Sequence, residues 1–157
     1  MDDFNREQLE AHNRNRTVHG SKPLVYNHEI AVNATQYAQW LYQNDEFKHS
    51  DNADRPGQGE NLYWGTYGDV NSTARASKAW YDEVKDYNYQ NPGQSTGVVG
   101  HFTAMVWNAS DSMGCGVAGD SNAGYYVVCR YAPAGNVRHW SDEWKFYREN
   151  VKPPVTA

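Results

Sequence analysis

The sequence predicts an α+β protein, a three-layer α-β-α sandwich in which helices flank a small antiparallel sheet. Two observations lead there. Apolar residues recur at helical spacing through the first two thirds of the chain, and residues 125–131 then switch to strict alternation. A third observation says that the elements have a core to share. Aromatic residues make up 14% of the 157, with six Trp and twelve Tyr, although mean hydropathy is only −0.91. A chain lacking a core would not carry so many large rings, and this length suits one domain. The domain is expected to span residues 1–152, with residues 153–157 as a C-terminal tail that opens on Pro153-Pro154.

The first helix is expected over about residues 3 to 15, opened by Asp2 and Asp3, whose charges suit a helix N-terminus. The second starts at Asn27, a good cap, and carries Ile30, Ala34, Tyr37, Ala38 and Leu41 at helical spacing. A third begins near Ser72 and places Trp80, Val84 and Tyr87 on one face, with Glu83 beside it. A short fourth runs from about His101 to Asn108. In the last third, Tyr125, Val127, Cys129 and Tyr131 alternate with Tyr126, Val128 and Arg130 as in a half-buried strand. Residues 113–118 read as its hairpin partner across the turn formers of 119–124, and residues 61–66 as a third strand. If the turn centres on Asn122, Cys115 falls opposite Cys129. Facing Cα atoms in an antiparallel pair lie about 4.5–5.5 Å apart, which a disulfide tolerates. Such a bridge would close a loop of about 15 residues, worth roughly 3 kcal/mol in the chain-entropy view.

The net charge of −5 and the lack of a basic stripe argue against a nucleic-acid partner. No apolar run approaches the length of a transmembrane segment. The start, Met1-Asp2-Asp3-Phe4-Asn5, is too polar for a signal peptide, and Asp2 excludes N-myristoylation. Either the chain is cytosolic, or a signal segment has been removed and Met1 is an added start. The glycosylation sequons at Asn15, Asn33, Asn71 and Asn108 and the single cysteine pair favour the extracellular, secreted alternative and a glycoprotein.

Of the six histidines, His12, His19, His28 and His139 read as surface or hydrogen-bonded core residues. His49 and His101 sit in more informative surroundings. His49-Ser50 precedes a polar stretch ending in Gly59-Glu60-Asn61, and His101 opens the run His101-Phe102-Thr103-Ala104-Met105-Val106-Trp107. At a helix N-terminus the protonated imidazole is disfavoured, leaving the neutral form that binds metals.

These runs carry a resemblance. The stretch Gly100 to Trp107 resembles the first signature of the CAP superfamily of cysteine-rich secretory proteins, antigen 5 and plant pathogenesis-related proteins (the SCP domain). Tyr126-Val127-Val128-Cys129-Arg130-Tyr131-Ala132-Pro133-Ala134-Gly135-Asn136 resembles the second. His49-Ser50 with Gly59-Glu60-Asn61 resembles the third, and Trp80-Tyr81-Asp82-Glu83-Val84 the fourth, all in family order.

The resemblance implies the same α-β-α sandwich with a central cleft and a bridge between Cys115 and Cys129. It also implies a tetrad in which His49 and His101 ligate a divalent metal, zinc above all, while Glu60 and Glu83 orient them or contact metal-bound water. Two neutral nitrogens suit zinc, a carboxylate partner fixes each tautomer, and two protein ligands make a weaker, more open site than three or four. Some relatives carry lipids. Tyr87, Tyr89 and Pro92, in the stretch 86–93, resemble a sterol-binding loop, and a groove between amphipathic helices is the alternative seat for a fatty acid. Binding of a lipid or a protein partner is the expected function. A metal-dependent hydrolase or protease using the same tetrad is the alternative, although the chain has no HExxH run and no serine in a recognisable nucleophile context. The extra cysteines of the plant and venom branches are absent.

Overall fold

The computed structural model describes residues 1–66 and 74–155. Among these, helices α1 (Asp3–Val18), α2 (His28–Asn44), α3 (Arg75–Tyr81), α4 (Gly100–Val106) and α5 (Lys145–Asn150) surround strands β1 (Val25–Tyr26), β2 (Gly59–Gly65), β3 (Ser112–Asp120) and β4 (Gly124–Ala132). The sheet order is β1-β3-β4-β2. β2, β3 and β4 pair antiparallel, and β1 adds a two-residue parallel pairing with β3 that makes the sheet mixed.

The hairpin has the expected register. Asp120 faces Gly124 across the turn, and Cys115 faces Cys129 with Cα atoms 4.1 Å apart, joined as a disulfide. Strand alternation sorts the sheet into two faces. Leu62, Tyr126 and Val128 turn towards Ala34, Ala38 and Leu41 of α2. Met113, Cys115, Val127, Cys129 and Tyr131 turn the other way and pack with Trp80, Phe102, Met105 and Val106 of α3 and α4. On the α2 side β3 presents Gly114 and Gly116, and the helix lies directly on them. A Cβ at Gly114 would stand 2.3 Å from the Ala31 nitrogen, and one at Gly116 2.3 Å from the Thr35 Cα.

α1 is held to the other face by polar groups. Asp2 caps it by accepting from Asn5 N at 2.8 Å. Asn5, Gln8, His12 and Arg16 form its buried stripe. Asn5 pairs with the backbone of Cys115, accepting from its N–H at 2.7 Å and donating to its carbonyl at 3.0 Å. His12 bridges the Gln8 carbonyl and the Tyr131 hydroxyl, each at 2.7 Å. Arg16 donates to the carbonyls of Lys22, Met105, Trp107 and Ser110. Because these carbonyls offer dipoles and no countercharge, burial lowers its pKa to about 10. His19, also buried, bonds the Lys152 carbonyl and the Tyr81 hydroxyl.

Several boundaries differ from expectation. α1 runs on to Val18. The expected start of the third helix near Ser72 lies outside the described residues, as does the Asn71 sequon. That helix does not carry Tyr87. It ends at Tyr81 and tightens into a 3₁₀ turn over Asp82–Asp86, after which Tyr87 is extended. The tighter turn brings Glu83 to the start of α4. β1 and α5 were not expected, because two and six residues carry too little periodicity to register.

Candidate functional site

His49 and Glu60 form one imidazole–carboxylate pair, and His101 and Glu83 form another. His49 stands on the loop after α2, with its side chain 54% exposed. Its Nδ1 lies 2.9 Å from Glu60 Oε1. Glu60 itself is sealed at the start of β2, opposite Arg130 of β4 in the strand register. Arg130 Nε donates to Glu60 Oε2 at 3.0 Å, and Ser50 gives its backbone N–H to Oε1 (2.9 Å) and its hydroxyl to Oε2 (2.8 Å). Burial alone would raise the Glu60 pKa. The hydrogen bonds from His49 and Ser50 and the charge of Arg130 overcome that and hold it at about 2.

Ser50 is fully engaged. Its hydroxyl donates to Glu60 and accepts from Arg55 Nε (2.9 Å) and Arg130 Nη2 (3.1 Å). An oxygen held by two guanidinium groups is a poor nucleophile, so adjacency to His49 in sequence creates no catalytic dyad.

The second pair is built around a helix end. α4 has no side-chain cap of its own. Glu83 supplies one from the 3₁₀ turn, accepting the backbone N–H groups of His101 and Phe102 on Oε1, each at 3.0 Å. Its other oxygen lies 2.7 Å from His101 Nδ1. Trp80 stacks on the His101 ring, nearly parallel with centroids 6.1 Å apart. One carboxylate therefore fixes both the helix start and the ring.

β2 links the pairs. Glu60 points to the α2 side with Arg130. Asn61 points to the other side and donates its amide to the His101 carbonyl at 3.0 Å and to the Tyr131 hydroxyl at 3.2 Å. Both imidazoles spend Nδ1 on a carboxylate, and neither Nε2 has a hydrogen-bond partner among the described residues. Among those residues no group of three or more His, Cys, Asp or Glu is arranged to hold a metal ion.

The sequence reading found all four members of the pairs and missed what anchors them: Ser50, Arg55, Arg130 and Asn61. Arg130 left a signal, an arginine in an otherwise apolar and aromatic alternating strand at the position facing Glu60.

The stretch with Tyr87, Tyr89 and Pro92 lies elsewhere. Tyr87 is buried edge-on against Phe102, Tyr89 stands edge-on to Tyr87 and stacks with His19, and Pro92 is buried. The Tyr87 ring points inward, and Tyr89 is half-buried.

The two longest runs singled out in the sequence meet in space. Gly135 rests on the Trp107 ring, where a Cβ would come within 2.8 Å. Asn136 donates to the Gly100 carbonyl at 2.9 Å and accepts from the Thr103 hydroxyl at 2.6 Å.

Comparison with known proteins accounts for this arrangement. The model of CAP, the cysteine-rich secretory protein family, matches residues 9–131. The chain is 42% identical over 151 residues to the Golgi-associated plant pathogenesis-related protein 1 of Homo sapiens, covering 96% of this chain and 94% of that one. It is 38% identical to pathogenesis-related protein 1C of Nicotiana tabacum, covering 83% and 76%. The crystal structure of NaASP2 with Zn2+ superposes with a TM-score of 0.66 at 27% identity, over 87% of this chain and 83% of that one. With sandwich, disulfide and sequence match in agreement, the chain belongs to the CAP family.

Proposed function

We propose that this chain is a secreted binding domain in which the Nε2 atoms of His49 and His101 share one divalent cation, zinc by preference, while its surface takes a lipid or a protein partner. The observation behind the metal reading is the pairing of each imidazole with a carboxylate through Nδ1. That pairing fixes the tautomer, raises the basicity of the ring and leaves the second nitrogen for a ligand role. Two nitrogens suit zinc, and with no third donor grouped beside them among the described residues the ion would be held weakly, with open positions. The solved relative with Zn2+ supports the choice of metal. A bound ion would supply a positive charge and a Lewis acid between the two pairs.

No observation favours the hydrolytic alternative, since Ser50 is tied down and Glu83 caps a helix. A sterol at residues 86–93 would require Tyr87 and Tyr89 to shift from their packing, so the ring positions lend that loop no support. Secretion draws on the Cys115–Cys129 disulfide, which persists in oxidising compartments, and on the family's description as secretory. The human relative, by contrast, is named for association with the Golgi, an intracellular compartment.

Calorimetric titration of zinc into the metal-free chain tests the metal reading. Binding is expected in the wild type, lost in the His49→Ala/His101→Ala double variant, and weaker in acid, because a ligating nitrogen must be free of its proton. Equal heats for the two proteins would overturn it.

A further inference from the structure

On the α2 side of the His49–Glu60 pair lies a cavity of about 410 Å³ that neither His101 nor Glu83 lines. One helical stripe of α2 supplies Asn33, Gln36, Tyr37 and Trp40, and the loop opposite supplies Asp51 and Asp54. The Tyr37 and Trp40 rings stand 5.8 Å apart and within 8° of parallel, with Trp40 39% exposed. The wall behind them is firm. Tyr37 donates its hydroxyl to the Lys48 carbonyl, and the Arg130 guanidinium lies 5.2 Å over its ring.

The charges on this cavity select its occupant. A cationic ligand would meet like charge at the rings, the Arg130 guanidinium over Tyr37 and the Lys48 ammonium 5.3 Å over Trp40. Lys48 and Arg130 also line the cavity but are paired with Glu46 and Glu60, so an anionic ligand would meet the carboxylates of Asp51 and Asp54. A neutral molecule remains, one with an apolar face for the indole and a rim of groups that both donate and accept. Carboxylates accept, and the Asn33 and Gln36 amides do both, which is the complement of vicinal hydroxyls. The volume lies within the range of small-molecule sites.

We propose that this cavity binds a neutral sugar, one or two pyranose units of a glycan, with the C–H face of a ring replacing the exposed Lys48 side chain on Trp40 and its hydroxyls on Asn33, Gln36, Asp51 and Asp54. The site goes beyond the metal reading, touching it at His49 and its anchors Ser50 and Arg130 and requiring no ion. It also gives the Asn33 sequon a second meaning, because a glycan attached there would occupy the same wall.

The test is an NMR titration of the unglycosylated, disulfide-bonded full chain with cellotetraose, laminaritetraose, chitotetraose and mannotetraose, each to about 10 mM. At least one is expected to shift the Trp40 indole N–H and the backbone amides lining the cavity. Trp40→Ala should weaken that sugar about tenfold and Gln36→Ala about threefold. His101→Ala, which removes a proposed metal ligand, should leave sugar binding unchanged, so the two readings can fail separately. If Trp40→Ala does not give the wild-type circular dichroism, Gln36→Ala and Asp54→Asn carry the test. The proposal is overturned if no sugar shifts these signals or if the folded variants bind as tightly as wild type. Tighter binding at this cavity of a sulfated heparin tetrasaccharide or of tetramethylammonium would overturn it equally.

Discussion

Glu60 and Glu83 both hold an imidazole, yet their surroundings give them different second tasks. Glu60 is a sealed anion whose charge is balanced by Arg130, itself only 3% exposed, so each depends on the other to be tolerated inside. Glu60→Gln keeps the shape and removes the charge, leaving a buried guanidinium without its partner. A loss of about 3 kcal/mol in urea unfolding is expected, against less than about 0.5 kcal/mol for His49→Ala, whose ring is more than half exposed. Comparable losses for the two variants would contradict this division of labour. The four paired residues were legible in the sequence because they fall inside recognisable runs. Ser50 and Arg130 fall inside the same runs, but their anchoring role was not legible, because with Arg55 they act through contacts that only strand register and loop closure create.

At the scale of elements, α2 and the hairpin were readable because each carries a clean period over many residues. α1 was readable in its start and opaque in purpose, since its inward stripe is Asn, Gln, His and Arg where an amphipathic reading looks for apolar groups. The third helix was misjudged past Tyr81 because a 3₁₀ turn keeps nearly the helical spacing while aiming side chains differently. The contact between α2 and β3 depends on the missing side chains of Gly114 and Gly116. Gly116→Ala would set a methyl group against helix backbone that cannot give way. It should cost at least about 3 kcal/mol or prevent folding, by thermal denaturation and soluble yield. A wild-type melting curve would mean that the helix can lift off the sheet cheaply.

For the whole molecule, the buried histidine sets how stability responds to acid. Burial lowers the His12 pKa from 6.5 to about 4 in the folded chain, with the Gln8 carbonyl opposing and Arg16 assisting. Between these values the unfolded chain takes up a proton that the folded chain refuses. Its contribution is therefore complete above about pH 6.5 and is lost as pH falls through 4, amounting to about 3 kcal/mol at most. Glu60 acts in the same direction lower down, its contribution present above its unfolded value of 4.5 and lost as pH falls towards 2. Urea midpoints should thus decline from pH 7 to pH 4 through His12 and go on declining below it through Glu60. A flat profile over the first interval would show that His12 is not kept neutral.

The amide of Asn5 does for β3 what a longer β1 would have done. β1 stops after two residues, and from that point the outward-facing N–H and carbonyl of Cys115 are covered by one side chain of α1. Should α1 peel away, the central hairpin would be left with a bare margin that another polypeptide could extend. The first turn of the chain thus guards against self-association, and a fusion or cleavage disturbing Asn5 would be felt as aggregation before any ligand was lost.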